Sequence, residues 1–157
     1  MPKIIAFLTV ALLMSQPLFA EKAKDFTLPT DKGEIQLSKL EGSVVYVDFW
    51  ASWCTPCRKS FPWMNKMHAK YQDQGLEIIG ITLDENEAAA HKFLKKLPAL
   101  FTVAYDTRGT IADLYKVQVM PTSYLIDREG NLVLTHKGFK AKHEAELEAE
   151  LVKYLDE

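Results

Sequence analysis

Two kinds of segment follow one another along the chain: short apolar runs, and longer stretches in which apolar residues recur at helical spacing. The run 43–50 starts at Ser43 and is then apolar except for Asp48, which is typical of a central strand buried on both faces. A stretch of helical periodicity follows over 54–71, and Gly75 ends it. The sequence therefore predicts a buried strand that leads directly into a helix.

The rest of the chain continues this alternation of strands and helices. A β-hairpin with Gly33 in its turn comes first, and a second hairpin and an amphipathic helix close the chain. The predicted elements are strands 26–28 and 34–37, a helical turn 37–40, strand 76–83, helix 85–97, strand 101–105, helix 110–115, strands 122–127 and 132–137, and helix 142–155. This order predicts an α/β layer structure with a mixed sheet.

The first twenty residues differ from all that follow. Lys3 is their only charge, the run 4–14 is almost wholly apolar, and Ala20 precedes a polar stretch. A basic start, a short apolar core and a final small residue are typical of a secretory signal peptide. We expect cleavage after Ala20; the alternative is an uncleaved anchor, although the run is shorter than the ~20 residues that span a bilayer. Either form places a single domain, residues 21–157, in an export compartment.

Composition narrows the function only a little. A chain of 157 residues can form one compact core but not two. Its formal net charge of −2 gives no basic excess that would indicate binding to nucleic acid or to an anionic membrane surface.

The chain has two cysteines, Cys54 and Cys57, separated by two residues. A disulfide between them would close so small a ring that it gains little loop-closure entropy. The pair is therefore more typical of a redox-active dithiol than of a structural disulfide. Cys54 falls where strand gives way to helix, and a helix N-terminus stabilises a thiolate. A four-ligand zinc site would need two more Cys or His at suitable spacing, and the four histidines are scattered. We expect no metal.

Asp48 is a second candidate, since a carboxylate in an apolar strand is costly unless it is paired or protonated. Burial would raise its pKa and make it a general base near neutral pH; the alternative is a strand-end Asp bonded to backbone. Of the tryptophans, Trp50 fits the core, and Trp53 fits an apolar rim where a substrate docks. Trp63 fits either place.

Three features resemble the thioredoxin superfamily. They are the active-site segment Val47-Asp48-Phe49-Trp50-Ala51-Ser52-Trp53-Cys54-Thr55-Pro56-Cys57, the helix-kinking Pro62, and the cis-proline loop Val119-Met120-Pro121-Thr122. The hairpin at 26–37 and a strand–helix insert at 76–97 resemble the exported ResA/TlpA branch. The resemblance covers about residues 24–156. It implies a thioredoxin fold with an N-terminal β-hairpin and an inserted strand–helix.

The resemblance also implies roles for single residues. Cys54 would be the attacking nucleophile and Cys57 the resolving thiol. A cis Pro121 would leave the backbone of Met120 free to pair with a substrate segment, beside a docking surface of Trp53, Thr55 and Pro56. Asp48 would help to deprotonate Cys57. Glu85 matches a glutamate that ResA-type proteins place under the active site; the alternative is a carboxylate that caps the following helix.

The function implied is that of a periplasmic thiol–disulfide oxidoreductase that reduces disulfides in exported proteins, apocytochrome c among them. It would need no cofactor beyond the Cys54–Cys57 pair, and a membrane electron donor of the DsbD/CcdA type would re-reduce it. A thiol peroxidase of the peroxiredoxin type is one alternative, although the Pro and Thr of that family's pocket are missing before Cys54. A non-catalytic client-binding module is another, but such a module would not need both cysteines.

Overall fold

The structure is a computed structural model, and it describes residues 21–157. The predicted signal peptide, residues 1–20, lies outside the described residues. Seven strands form one mixed sheet in the order β2-β1-β5-β4-β3-β6-β7. The strands are β1 Thr27–Thr30, β2 Gly33–Gln36, β3 Val44–Trp50, β4 Leu76–Thr82, β5 Thr102–Tyr105, β6 Thr122–Ile126 and β7 Leu132–Lys137.

The central strand β3 is buried along its whole length, as its apolar run predicts. It pairs parallel with β4 and antiparallel with β6. A strand with neighbours on both edges and helices on its faces meets no water, so its side chains can be apolar at successive positions. The single polar exception, Asp48, is enclosed with the rest at 1% exposure.

Two layers cover the sheet. Helices α1 (Thr55–Tyr71), α2 (Glu87–Lys96) and α4 (Glu144–Leu155) share one apolar cluster on one face. The N-terminal hairpin and the short α3 (Thr110–Leu114) contribute to a second cluster on the other face. Residues of one strand alternate between faces, so Tyr46, Asp48 and Trp50 point toward the layer that contains α1.

The predicted order of elements is confirmed throughout, with bounds that differ by one or two residues. Differences of two residues occur at the end of β1 and at the starts of two helices. Helix α2 begins at Glu87 because the side chain of Asn86 caps it by accepting a hydrogen bond from the backbone of Ala88. Helix α4 begins at Glu144 because Ala141–His143 form a 3-10 turn before it. Within residues 21–157, every helix is too short or too polar to cross a bilayer.

Candidate active site

The two cysteines form a disulfide at the N-terminus of α1, with their Cα atoms 5.3 Å apart. Cys54 is the N-cap residue: its backbone is extended, and its sulfur accepts a hydrogen bond from the backbone N–H of Cys57 at 3.3 Å. Thr55 and Pro56 complete the first turn, where the missing N–H of proline is no loss. A thiolate on Cys54 in the reduced protein would therefore face unpaired N–H groups and the positive end of a helix dipole.

The two cysteines differ in solvent exposure. Cys54 is 5% exposed and Cys57 is fully enclosed, so an incoming sulfur can approach only Cys54. Next to it, Trp53 is the most exposed large apolar residue among those described, at 68%. This asymmetry fits an attacking Cys54 and a resolving Cys57.

An uncharged groove of about 500 Å³ runs past Cys54. One wall is the loop before β6, where the Met120–Pro121 peptide bond is cis, as predicted. The hydroxyl of Thr122 donates to the carbonyl of Val119 at 2.7 Å and closes this loop. The groove is lined by Trp53, Cys54, Thr55, Pro56, Leu83, Val117, Gln118, Val119 and Met120. All five residues expected to contact a substrate segment, Trp53, Thr55, Pro56, Met120 and Pro121, lie on this lining or next to it.

Asp48 lies on β3, and strand alternation places it with Tyr46 and Trp50 on the face toward the layer that contains α1 and Cys57. Its Oδ1 accepts one hydrogen bond, from the hydroxyl of Ser123 at 2.8 Å, and its Oδ2 has no partner among the described residues. Burial raises the pKa of Asp48 to about 7, against the opposing effect of the Ser123 hydrogen bond. Burial and the Asp48 carboxylate together raise the pKa of Tyr46 above its usual range. The alternative of a strand-end Asp bonded to backbone is wrong, since its partner is a side-chain hydroxyl and the strand continues to Trp50.

The expectation that Glu85 is a buried carboxylate under the active site is wrong. Its side chain is exposed, in the bend between β4 and α2, and the cap of α2 is Asn86. The buried carboxylate at this point is Asp84, which is 4% exposed. Asp84 turns inward because it is held by Ser52, whose backbone N–H and hydroxyl donate to it at 2.9 and 2.8 Å, and by the hydroxyl of Thr82 at 2.9 Å.

The three tryptophans differ in their solvent exposure. Trp50 is fully buried, and its ring packs edge-on against Phe61. Trp63 is also in the core, edge-on to Tyr46, so it does not belong to the rim. Only Trp53 is available to a substrate. Residues 21–157 contain no group of three His, Cys, Asp or Glu that could hold a metal ion.

A family model described as AhpC/TSA matches residues 19–135. The chain belongs to this family. It is also 37% identical over 127 residues to the thiol-disulfide oxidoreductase ResA of Bacillus thuringiensis subsp. konkukian, a match that covers 80% of this chain and 73% of that protein. The chain is thus a ResA-type thiol–disulfide oxidoreductase of the thioredoxin-like group.

Solved structures agree with this assignment. A Chlorobium tepidum protein assigned as the thiol:disulfide interchange protein DsbE superposes with a TM-score of 0.85 at 50% identity, covering 87% of this chain and 96% of that one. The exposed lipoprotein thioredoxin Etrx1 of Streptococcus pneumoniae superposes with a TM-score of 0.72 at 30% identity, covering 83% and 99% of the two chains.

The structure also bears on the peroxidase alternative. A peroxiredoxin pocket has the pattern Pro-x-x-x-Thr-x-x-Cys, and the corresponding positions before Cys54 hold Val47 and Ala51. Both are buried apolar residues that can neither orient a peroxide nor donate a hydrogen bond from a side chain. These two positions therefore favour thiol–disulfide exchange over reaction with a peroxide.

Proposed function

We propose that this oxidoreductase is a periplasmic reductant of disulfides in exported proteins, including apocytochrome c. The observation that carries the proposal is the position of the Cys54–Cys57 pair between the uncharged groove and the buried Asp48. The groove offers an extended client segment the exposed ring of Trp53 and the backbone of Met120. Asp48 supplies a proton acceptor on the enclosed side, where Cys57 has no access to water.

The reaction proceeds through two exchanges. The Cys54 thiolate attacks one sulfur of the client disulfide, forms a mixed disulfide and releases the other client sulfur as a thiolate, which takes up a proton. Cys57 then loses its proton to Asp48 and attacks the sulfur of Cys54. This step releases the second client thiol and leaves the Cys54–Cys57 disulfide seen in the structure. Two electrons pass from the protein to the client.

A further cycle requires two electrons from a donor, and a membrane protein of the DsbD/CcdA type fits that role. The proposed location rests on residues 1–20 and on the ResA-type relatives. Residues 21–23 are bound at the β6–β7 turn, where the backbone N–H of Leu132 donates to the carbonyl of Glu21 at 2.8 Å. This turn lies beside the start of β3, whereas Cys54 follows its end. A membrane tether through the N-terminus would therefore leave the groove facing away from the bilayer.

Trapping identifies the clients. We expect full-length Cys57→Ser, expressed in a bacterium with a periplasm, to retain exported proteins as mixed disulfides on Cys54, which mass spectrometry after reduction would name. The matched control is Cys54→Ser/Cys57→Ser, which cannot form such a bond. Recovery of the same proteins with both variants, or of none with Cys57→Ser, would contradict the proposal.

The direction of exchange has its own test. Equilibration of the wild type with a glutathione buffer measures the potential of the Cys54–Cys57 pair. We expect a value in the lower half of the range from about −270 mV for thioredoxin to about −120 mV for DsbA. A value near the upper limit would make the protein an oxidant. Rapid stoichiometric oxidation of Cys54 by hydrogen peroxide in stopped flow would instead favour the peroxidase.

A further inference from the structure

Asp84 is a buried carboxylate for which the exchange reaction described above has no use. Three side-chain or backbone donors surround it: the N–H and hydroxyl of Ser52, and the hydroxyl of Thr82. Each of its two oxygens accepts at least one of these hydrogen bonds. Both oxygens are therefore satisfied without a proton on the carboxyl group, as an anionic carboxylate requires.

No cation neutralises this charge within the described residues, since none of the ion pairs there includes Asp84. The guanidinium of Arg58 on α1 donates to the carbonyl of Ser52 at 3.2 Å, on the exposed side of the loop. The neighbouring Glu85 is exposed and faces water. A negative charge enclosed in protein is screened far less than one at the surface.

The same loop carries the nucleophile. Residues 51–54 form a turn in which the backbone N–H of Cys54 donates to the carbonyl of Ala51 at 3.0 Å. Ser52 is the second residue of this turn, and Cys54 is the fourth. Ser52 donates two hydrogen bonds to Asp84, one from its backbone N–H and one from its hydroxyl. Asp84 therefore fixes the loop and at the same time places a negative charge beside it.

We propose that Asp84 is a positioning residue that opposes ionisation of Cys54 and thereby makes the dithiol a stronger reductant. The charge acts against the stabilisation that the N-terminus of α1 gives to a Cys54 thiolate. A destabilised thiolate favours the disulfide over the reduced form, which lowers the potential. The inference extends the proposed function, since it names a residue that sets the direction of exchange.

The test compares Asp84→Asn with Asp106→Asn. Asp106 is an equally buried carboxylate that accepts hydrogen bonds from the start of α3 and none from residues 51–57. In Asp84→Asn we expect the pKa of the Cys54 thiol, read from the pH dependence of its alkylation, to fall by about one unit. Reduction of the Cys54–Cys57 disulfide by dithiothreitol transfers two electrons and two protons. The equilibrium constant for this reduction should rise about tenfold in Asp84→Asn, which corresponds to a reduction potential about 30 mV higher. Asp106→Asn should leave both quantities unchanged.

Two further variants separate charge from loop structure. Asp84→Glu keeps the charge and should retain a potential close to that of the wild type. Ser52→Ala keeps Asp84 but removes one donor, so the anion is less neutralised and the pKa of Cys54 should rise, opposite to its change in Asp84→Asn. Shifts of the same sign in Ser52→Ala and Asp84→Asn, or no shift in either, would overturn the inference. Ser52→Ala alone still decides the sign if Asp84→Asn does not fold. Client trapping by Cys57→Ser does not depend on this result, so the two proposals fail separately.

Discussion

The two carboxylates Asp48 and Asp84 are both buried, but they differ in how many hydrogen bonds they accept. Asp48 receives one hydrogen bond, from Ser123, and one of its oxygens has no partner among the described residues. Asp84 receives three hydrogen bonds that satisfy both oxygens. Burial is nearly equal, at 1% and 4% exposure, so the number of donors is what differs.

This difference separates two kinds of work. A buried carboxylate with few donors holds its proton to a higher pH, and it can take and return a proton near neutrality. One that is surrounded by donors stays an anion and acts as a fixed charge and an anchor. In the proposals above, one residue type thus serves both for proton transfer at Cys57 and for control of the loop at Cys54.

The largest expected effect concerns Asp48 and stability. Its pKa is about 7 in the folded protein and near 3.8 when unfolded, so the folded state binds more protons between these values. The free energy of unfolding of the wild type should therefore fall as pH rises from about 4 to about 7, by up to roughly 4 kcal/mol from this group, and then level off. Asp48→Asn should lack this fall. Urea unfolding of the oxidised wild type and variant at about pH 4.5 and about pH 8, close to the two ends of this range, measures the fall.

Comparison within each protein removes the cost of inserting an amide. For each protein we take the change in unfolding free energy between the two pH values, and we then subtract the change in the variant from the change in the wild type. An identical change in wild type and Asp48→Asn would show that Asp48 titrates normally, and the contrast with Asp84 would disappear.

The next effect is kinetic and concerns the second exchange. Without a proton acceptor near Cys57, Asp48→Asn should extend the lifetime of the mixed disulfide between Cys54 and a client peptide by about 10²-fold, the lower part of the range for general base catalysis. Quenched-flow alkylation followed by gel electrophoresis measures this lifetime. The rate at which Cys54 first attacks should change much less, and equal slowing of both steps would argue against a role at Cys57.

The next prediction is that Asp84→Asn should reduce the free energy of unfolding. An amide can accept from the Ser52 N–H and the Thr82 hydroxyl through its oxygen, but its NH₂ group replaces the charge-assisted bond from the Ser52 hydroxyl with a weaker neutral one, in which that hydroxyl accepts. We expect a loss of roughly 1–3 kcal/mol in the free energy of unfolding. Denaturant unfolding of wild type and variant checks it. A gain in stability would contradict this prediction.

Much of the fold follows from local sequence. The apolar run of β3 requires a strand with neighbours on both sides, and the helical period after Cys54 places the cysteines on a first turn. These features are predictable because burial acts on contiguous residues. The cis bond before Pro121 has no local signal and was predicted only from the resemblance to thioredoxins.

The site is less accessible to sequence reasoning because its polar partners are distant in the chain. Ser123 lies 75 residues from Asp48, and Ser52 lies 32 residues from Asp84. Two carboxylates follow β4, and strand alternation no longer decides which turns inward once the strand has ended at Thr82. The bond from Thr82 to Asp84 two residues later is the one local signal that favours Asp84 over Glu85.

The smallest expected effect removes the one donor that Asp48 has. The hydrogen bond from Ser123 lowers the pKa of Asp48, so Ser123→Ala should raise that pKa further, by about half a unit, and extend the pH range over which stability falls. Carbon-13 NMR of the Asp48 carboxyl group follows the titration directly. Because Ser123 faces Asp48 across β3 and β6 and its hydroxyl donates to Asp48, the potential of the Cys54–Cys57 pair should change less than in Asp84→Asn. A lower pKa for Asp48 in Ser123→Ala would mean that donor number does not distinguish the two carboxylates, and the division of labour between them would need another cause.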